Sequence, residues 1–310
     1  MNSLVNVCVL IASYNGERYI EDQILSVLNQ KGVKINLLVR DDGSTDSTVD
    51  ILKKYEERNE LRILPSSGNV GTARSFFELL KNASDNAQYF AFCDQDDIWD
   101  EDKIVRAVTC LASQQSNLPC MYFSRQTVVD DSLNIIGYSS VPRKIGFGNA
   151  LVECITPGCT VVIDNLARDF LIANLPARFY MMHDWWVYLT LTCFGKVIYD
   201  PIPSMKYRQH ANNVVGLNVS FFRTLVVRWK RYRASGNLMG FAAEPSQQAI
   251  AFEKLFDERM PPEHKELLNK FVRGKTSFIL RLKLAFSPLI WRQKRVDDFL
   301  VRLLIVMNRY

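Results

Sequence analysis

The sequence predicts an α/β protein with a mainly parallel sheet, helices on both faces, and a helical C-terminal extension. Three observations carry this. Strand-like and helix-like segments alternate over the first hundred of 310 residues, the pattern of parallel strands joined by helical crossovers. Strand signals vanish beyond Gly216. The charge also changes sign along the chain: residues 1–215 hold 20 Lys/Arg against 25 Asp/Glu, and residues 216–310 hold 18 against 8. Such asymmetry predicts two functionally different parts, 1–215 and 216–310.

In order along the chain, Val5 to Ala12 is an apolar run fit for a buried strand, and Glu17 to Gln30 a helix with Ile20, Ile24, Leu25 and Leu28 on one face. Ile35 to Arg40 is the second strand, Ser47 to Arg58 a helix that Thr45 or Asp46 can cap, and Leu61 to Leu64 a short strand. Thr72 to Lys81 is helical and Tyr89 to Cys93 is a strand. From 120 to 208 the pattern shifts to short strands at 121–124, 135–138, 159–163, 196–199 and 204–208, with helices at 166–173 and 183–192. Beyond Gly216, segments 221–233, 247–259, 262–272 and 297–308 are helical, with Pro261-Pro262 and Pro288 as punctuation.

Composition excludes several classes. With 48% hydrophobic and 23% charged residues the chain is globular, not disordered or fibrous. Met1-Asn2-Ser3 leads into an apolar run without a basic preface, and no stretch of about 18 uncharged apolar residues occurs, so neither a signal peptide nor a spanning helix is expected. Seven cysteines without paired spacing fit reduced thiols in a cytoplasm rather than a disulfide framework or a zinc site. Cys159 is expected to be a buried, inert thiol rather than a nucleophile.

Three strands end in polar, turn-forming sequence: Ser13-Tyr14-Asn15-Gly16, Asp41-Asp42-Gly43-Ser44 and Asp94-Gln95-Asp96-Asp97. In a parallel sheet, ligands bind beyond the carboxyl ends of the strands, so the three should meet at one crevice. Acids crowded there are costly unless cations or hydrogen-bond donors neutralise them. Hard divalent ions take carboxylate oxygens together with substrate phosphates. Read locally, each acid also suits a turn or a helix cap.

Taken together, these elements resemble the family 2 glycosyltransferases, whose GT-A fold is one nucleotide-binding α/β domain with an Asp-X-Asp motif. The resemblance spans roughly residues 5 to 215. It rests on Ala12-Ser13-Tyr14-Asn15, Asp41 to Asp46, Asn69-Val70-Gly71, Asp94-Gln95-Asp96-Asp97 and His183-Asp184-Trp185-Trp186, in that order. It implies that Ala12, Tyr14 and Asn15 lie against the nucleobase, and that one acid of the Asp41-Asp42 pair serves the base while its neighbour makes structural hydrogen bonds. Asp42 can accept an imide N–H of uracil or thymine. Asn69, Gly71 and Arg74 would line the diphosphate, although a solvated helix face suits Arg74 equally well.

In the same resemblance Asp94 and Asp96 form the Asp-X-Asp pair that holds Mn2+ or Mg2+, with Asp94 also toward the ribose and Asp97 extending the motif. Asp184 is the catalytic base, with Trp185 and Trp186 against the sugars. Arg208 pairs with phosphate, and His210 meets the diphosphate or the metal. One base and one metal imply inversion. The strings Asp-Gln-Asp-Asp-Ile-Trp and Arg-Gln-His-Ala-Asn-Asn are most similar to those of bacterial rhamnosyltransferases building surface polysaccharides. The expected partners are therefore a UDP- or dTDP-sugar donor and a glycan or lipid-linked acceptor. A galactosyl-, glucosyl- or N-acetylhexosaminyltransferase, and a non-catalytic nucleotide- or glycan-binding domain, are the alternatives.

The tail mixes bulky apolar residues with cations. Residues 221–233 contain Arg223, Arg228, Lys230, Arg231 and Arg233, and Phe278 to Arg295 is similar. Such helices suit the inner face of an anionic membrane, or else a helical cap or a homodimer surface. No nucleic-acid-binding motif accompanies the charge.

Overall fold

The computed structural model describes residues 4–66, 68–209 and 244–310. They form two compact units: residues 4–141, 156–175 and 195–209 in one, residues 142–155, 176–194 and 244–310 in the other. Segments 142–155 and 176–194, inside the region read as one domain from charge, thus belong with the C-terminal helices.

The first unit opens with β1 (Val5–Ser13), α1 (Ile20–Leu28), β2 (Val33–Asp41), α2 (Thr48–Glu57), β3 (Arg62–Ile63), α3 (Thr72–Asn82) and β4 (Tyr89–Cys93). It continues through β5 (Ile98–Trp99), α4 (Lys103–Ala112), β6 (Cys120–Ser124), β7 (Thr127–Val129) and β8 (Ile135–Tyr138). Its last elements are β9 (Val162–Asp164), α6 (Asn165–Ala173), β10 (Lys196–Asp200) and β11 (Met205–Arg208). A seven-stranded sheet has the order β10-β6-β9-β4-β1-β2-β3. All its strands run one way except β9, which is antiparallel to both β4 and β6. Val7 to Ile11 of β1 are all buried, as a central strand covered on both faces requires.

A second sheet, β5-β11-β7-β8, was not expected as such. Strands β5 and β7 are two and three residues long, too short to show a period of two. The strand expected over 159–163 starts later because residues Gly158–Thr160 form a 3-10 turn. Helix α1 is also shorter than expected. It buries Ile20, Ile24 and Val27 and leaves Leu25 exposed, since Leu25 lies about 100° round the helix from Ile24. The N-cap of α2 is Ser47, not Thr45 or Asp46, and its side chain makes no capping bond; Asp46, one residue earlier, accepts the Thr48 N–H at 3.1 Å.

The second unit contains α5 (Phe147–Ala150), α7 (His183–Phe194) and helices over Pro245–Phe256, Pro262–Arg273, Phe278–Ala285 and Arg295–Val306. Its core is aromatic. The Phe252 ring lies 4.5 Å from Phe256 and 5.6 Å from Trp186, and Phe194 lies 4.9 Å from Phe256. Proline occupies the first turn of two of these helices, where its missing N–H costs nothing. Buried His183 is pushed down to about 3, because burial disfavours the charged imidazole.

Gly148 in α5 lies under the backbone of the C-terminal segment: a Cβ there would meet the Leu289 carbonyl oxygen at 1.7 Å. Gly148→Ala should therefore force a backbone shift and destabilise the protein by about 1–3 kcal/mol, the usual range for overpacking. Denaturant unfolding will measure it, and an unchanged midpoint would show that this contact yields freely.

Candidate active site

The register of the central strands builds the edge on which the site stands. Ser13 pairs across from Asp41, and Ile11 from Cys93, so β1, β2 and β4 end side by side. Their following loops are stitched together by side chains. Asn15 donates its N–H to Ser44 Oγ at 2.8 Å and accepts the Thr45 N–H on Oδ1 at 2.8 Å, while the Gly16 N–H reaches Thr48 Oγ1 at 2.8 Å. Asn15 sits at φ 48°, a conformation Asn tolerates better than most residues.

Both acids at the end of β2 are engaged. Asp41 accepts Ser13 Oγ–H at 3.1 Å and the N–H groups of Gly43 and Ser44 at 3.0 and 2.8 Å, which closes the turn. Asp42 is buried. It accepts Arg40 Nη1–H at 2.5 Å and the N–H groups of Val70 and Gly71, both at 2.8 Å. Arg40 is itself buried and donates onward to Ser75 Oγ of α3 at 2.8 Å and to the Gly68 carbonyl at 3.0 Å. This ion pair holds the 68–71 loop, and so fixes Asn69 and the start of α3 relative to β2. Burial alone would raise the Asp42 carboxyl, but the bonds from Val70, Arg40 and Gly71 outweigh it and hold it below the usual carboxylate range.

The acidic loop after β4 is braced from two sides. The Gln95 amide pairs with the Tyr14 backbone, accepting its N–H at 2.8 Å and donating to its carbonyl at 3.0 Å. It lies over Gly16, where a Cβ would collide with Gln95 Oε1 at 2.4 Å. On the other side stands Arg208, at the end of β11. Its backbone N–H donates to Asp97 Oδ1 at 3.1 Å, Nε to the Asp96 carbonyl at 3.1 Å, Nη1 to the Asp131 carbonyl at 2.9 Å and Nη2 to Asp22 at 3.3 Å. Its guanidinium also covers the Tyr19 ring at 4.7 Å. A phosphate at Arg208 would compete with these bonds.

Asp94 and Asp96 are half-buried and Asp97 is fully buried. Burial, and then the charges of Asp96 and Asp94, push the Asp97 carboxyl well above its usual range. Beneath the loop lies the buried Lys103, its Nζ 4.6 Å from the centre of the Trp99 ring and brought down to about 8 by burial. Asp94, Asp97 and Cys159 each offer a ligand atom within 4.8 Å of one another. Burial holds the Cys159 thiol protonated, so it is not a ligand for a hard ion. The carboxylate oxygens of Asp94 and Asp96 do suit Mn2+ or Mg2+.

Ala12 is half-buried beside Arg40 in the strand register, and Tyr14 and Asn69 are exposed at the same edge. Gly71 caps α3 at φ 84°, and Arg74 is exposed in that helix's first turn. One unit thus assembles Ala12, Tyr14, Asn15, Asp41, Asp42, Asn69, Gly71, Arg74, Asp94, Asp96, Asp97 and Arg208. Asp184, Trp185 and Trp186 belong to the other. Half-buried Asp184 opens α7 and accepts the Trp185 N–H at 2.7 Å. Trp185 and Trp186 are core residues, 4% and 2% exposed, and Trp185 Nε1 donates to the Ala150 carbonyl at 2.6 Å. His210 lies outside the described residues, as do Arg223, Arg228, Lys230, Arg231 and Arg233. Arg40, Gln95 and Lys103 were not anticipated. Only Arg40 carried a signal, as a lone cation closing an apolar strand beside two acids.

The profile described as Glycosyl transferase family 2 matches residues 8–151. A dTDP-rhamnosyl transferase of Shigella flexneri, RfbG, is 32% identical over 96% of this chain and 99% of its own length. The chain belongs to glycosyl transferase family 2. WfgD of Escherichia coli, a glucosyltransferase described as acting on α-D-GlcNAc-diphosphoundecaprenol, is 29% identical over 60% of this chain and 69% of its own. Among solved structures, S. aureus TarS 1-349 in complex with UDP-GlcNAc superposes with a TM-score of 0.56 at 15% identity, covering 98% of this chain and 91% of that one. The mannosyltransferase PcManGT of Pyrobaculum calidifontis, in complex with GDP-Man and Mn2+, gives 0.55 at 14%, covering 98% and 74%. These structural likenesses establish a shared fold. The chain is thus a glycosyltransferase whose α/β unit has the architecture expected for its family.

In this glycosyltransferase Asp42→Asn should cost about 3 kcal/mol, because it leaves Arg40 buried without its counter-charge. Since Asp42's folded-state carboxyl sits below its unfolded value of about 3.9, its stabilisation is complete above that pH and is lost as pH falls through the lower, folded value. Wild type should therefore lose stability across that acidic window more steeply than Asp42→Asn. Parallel slopes in denaturant titrations over it would contradict the assignment.

Proposed function

We propose that this enzyme transfers rhamnose from a dTDP- or UDP-sugar to a glycan or lipid-linked saccharide during cell-surface polysaccharide synthesis, inverting the anomeric carbon. The observation that carries the reading is the braced acidic loop at the ends of three parallel strands, in a chain similar to RfbG over nearly its whole length. Glucosyl or N-acetylhexosaminyl transfer is the second reading, favoured by the likeness to WfgD. The diphosphoundecaprenol in that relative's description supports a lipid-linked acceptor and work at the cytoplasmic face of a membrane.

In this reading Asp94 and Asp96 hold Mn2+ or Mg2+, and Asp97 supports them from within. The ion, when bound, supplies charge neutralisation for the departing nucleoside diphosphate. Tyr14 offers a flat exposed surface to the base, and Ala12 and Asn15 shape the turn beside it. Asp42, though clamped by Arg40, retains acceptor capacity for an imide N–H. Asn69, Gly71 and Arg74 flank the diphosphate at the start of α3, where the helix dipole favours an anion. Asp184 takes the acceptor hydroxyl proton as the new glycosidic bond forms and the anomeric carbon–phosphate oxygen bond breaks. Its place in the first turn of α7 favours the ionised form. His210 is a further candidate for the metal or diphosphate, and Arg208 acts by positioning the loop.

Screening dTDP-rhamnose against UDP-sugars for hydrolysis and for thermal stabilisation with Mn2+ tests the donor. Stabilisation by UDP-glucose alone would select the second reading.

Asp96→Asn should remove most metal-dependent binding of the nucleoside diphosphate while leaving the fold intact, because this carboxylate is not part of the core. Calorimetry with Mn2+ will read this, and an unchanged affinity would exclude Asp96 as a ligand.

Asp184→Asn should keep donor affinity but lower turnover by about 10²–10⁴, the usual contribution of a general base. Turnover at the wild-type rate would remove Asp184 from the mechanism, and loss of donor binding would make it a binding residue instead.

A further inference from the structure

Each of the last two helices exposes apolar side chains that nothing in the described chain covers. On Arg295–Val306, Val301, Leu304 and Ile305 are buried, whereas Val296, Phe299 and Leu303, with Met307 just beyond, are exposed. Their spacing of three, four and four puts them on one face, away from the buried one. On Phe278–Ala285, Leu284 and Ala285 are buried while Phe278, Ile279 and the following Phe286 are exposed, Phe286 by 83%. Aromatic and aliphatic side chains so open to water mark an interaction surface.

The charges carried by this segment identify the occupant. Residues 274–310 contain eight Lys/Arg and two acids. Neither acid is free. Asp297 is buried, and Asp298 accepts the Arg292 N–H at 2.8 Å and Arg302 Nε at 2.9 Å. Lys283, Lys294, Arg295 and Arg309 are exposed, and no described acid pairs with them. A symmetric contact between two copies would set these cations against each other. An anionic bilayer complements both features, since phosphates meet the cations and the interface accepts the rings.

We propose that the exposed apolar side chains Phe278, Ile279, Phe286, Phe299 and Leu303 of these two helices dock on an anionic lipid bilayer, with Lys283, Lys294 and Arg295 at the headgroups. This docking does not depend on which sugar is moved: a protein without transferase activity would still bind.

The test uses the full chain and vesicles of phosphatidylcholine, alone or with one third phosphatidylglycerol. The protein should sediment with the anionic vesicles only, and release as salt screens the cations. The double variant Phe286→Ser, Phe299→Ser should weaken this binding about tenfold or more, since each ring loses its apolar burial. Lys294→Gln with Arg295→Gln should weaken it less. Melting temperature and donor hydrolysis in solution should stay at wild-type values in both, as all four side chains lie outside core and crevice. Failure to bind anionic vesicles overturns the proposal. Wild-type binding by the Phe286/Phe299 variant also overturns it, assigning the attachment to another part of the chain. A concentration-dependent dimer that the same variant abolishes would give these side chains to a second copy.

Discussion

Parallel strands that end in aspartates bring like charges to one edge, and containing that repulsion organises the first unit. Five acids lie at or just past the ends of β2 and β4: Asp41, Asp42, Asp94, Asp96 and Asp97. Each is an acceptor that the fold must supply with donors or counter-charge. Asp41 receives backbone and hydroxyl donors from its own turn, and Asp42 receives Arg40 and the amides of Val70 and Gly71. Asp97 is covered by Arg208, with Lys103 buried close beneath. These arrangements do two jobs at once. They neutralise the edge, and they fix four loops to one another.

The consequence is a division of labour among chemically identical side chains. Asp41 and Asp42 spend most of their acceptor capacity on the fold. Asp97 is buried, and burial together with its neighbours' charge makes the ionised form expensive. Asp94 and Asp96 remain half-buried on a loop whose backbone Gln95 and Arg208 have immobilised. A divalent ion demands ligands already held in position, since ordering two mobile carboxylates would cost entropy on every binding event. Gln95, the middle residue of the motif, matters in this respect for what its side chain ties down.

Much of this was legible before any coordinates, and the limits of legibility have physical causes. The parallel sheet and its helices announce themselves by period: nine residues of β1 with a continuous buried run, and Ile20, Ile24 and Val27 recurring along one side of α1. The meeting of Ser13, Asp41 and Asp94 at one edge followed from topology, because parallel strands end on the same side. The reversal of β9 did not, since three residues carry no sign of strand direction. Local sequence also cannot separate a tryptophan that covers a sugar from one that fills a core. Trp185 and Trp186 would look the same in both settings, and only burial shows them packed inside the second unit. Arg208 reads as a phosphate arm until its partners are seen, because a guanidinium serves a carbonyl and a phosphate with the same donors.

Helix α7 shows the complementary principle, an acid held at the margin of an apolar element. From Trp185 to Leu191 every residue is buried, so the helix is fixed by packing on all sides. Asp184 is the carboxylate of its first turn, joined to the helix by the Trp185 N–H. An acid deeper in such a helix would be pushed toward its neutral form, and one on a mobile loop would pay ordering entropy before each proton transfer. At the helix N-terminus the packed tryptophans beside it hold the backbone still. Rigidity therefore reaches the two proposed chemical sites by different routes: hydrogen bonds and ion pairs immobilise the loop carrying Asp94 and Asp96, and hydrophobic packing immobilises the helix carrying Asp184.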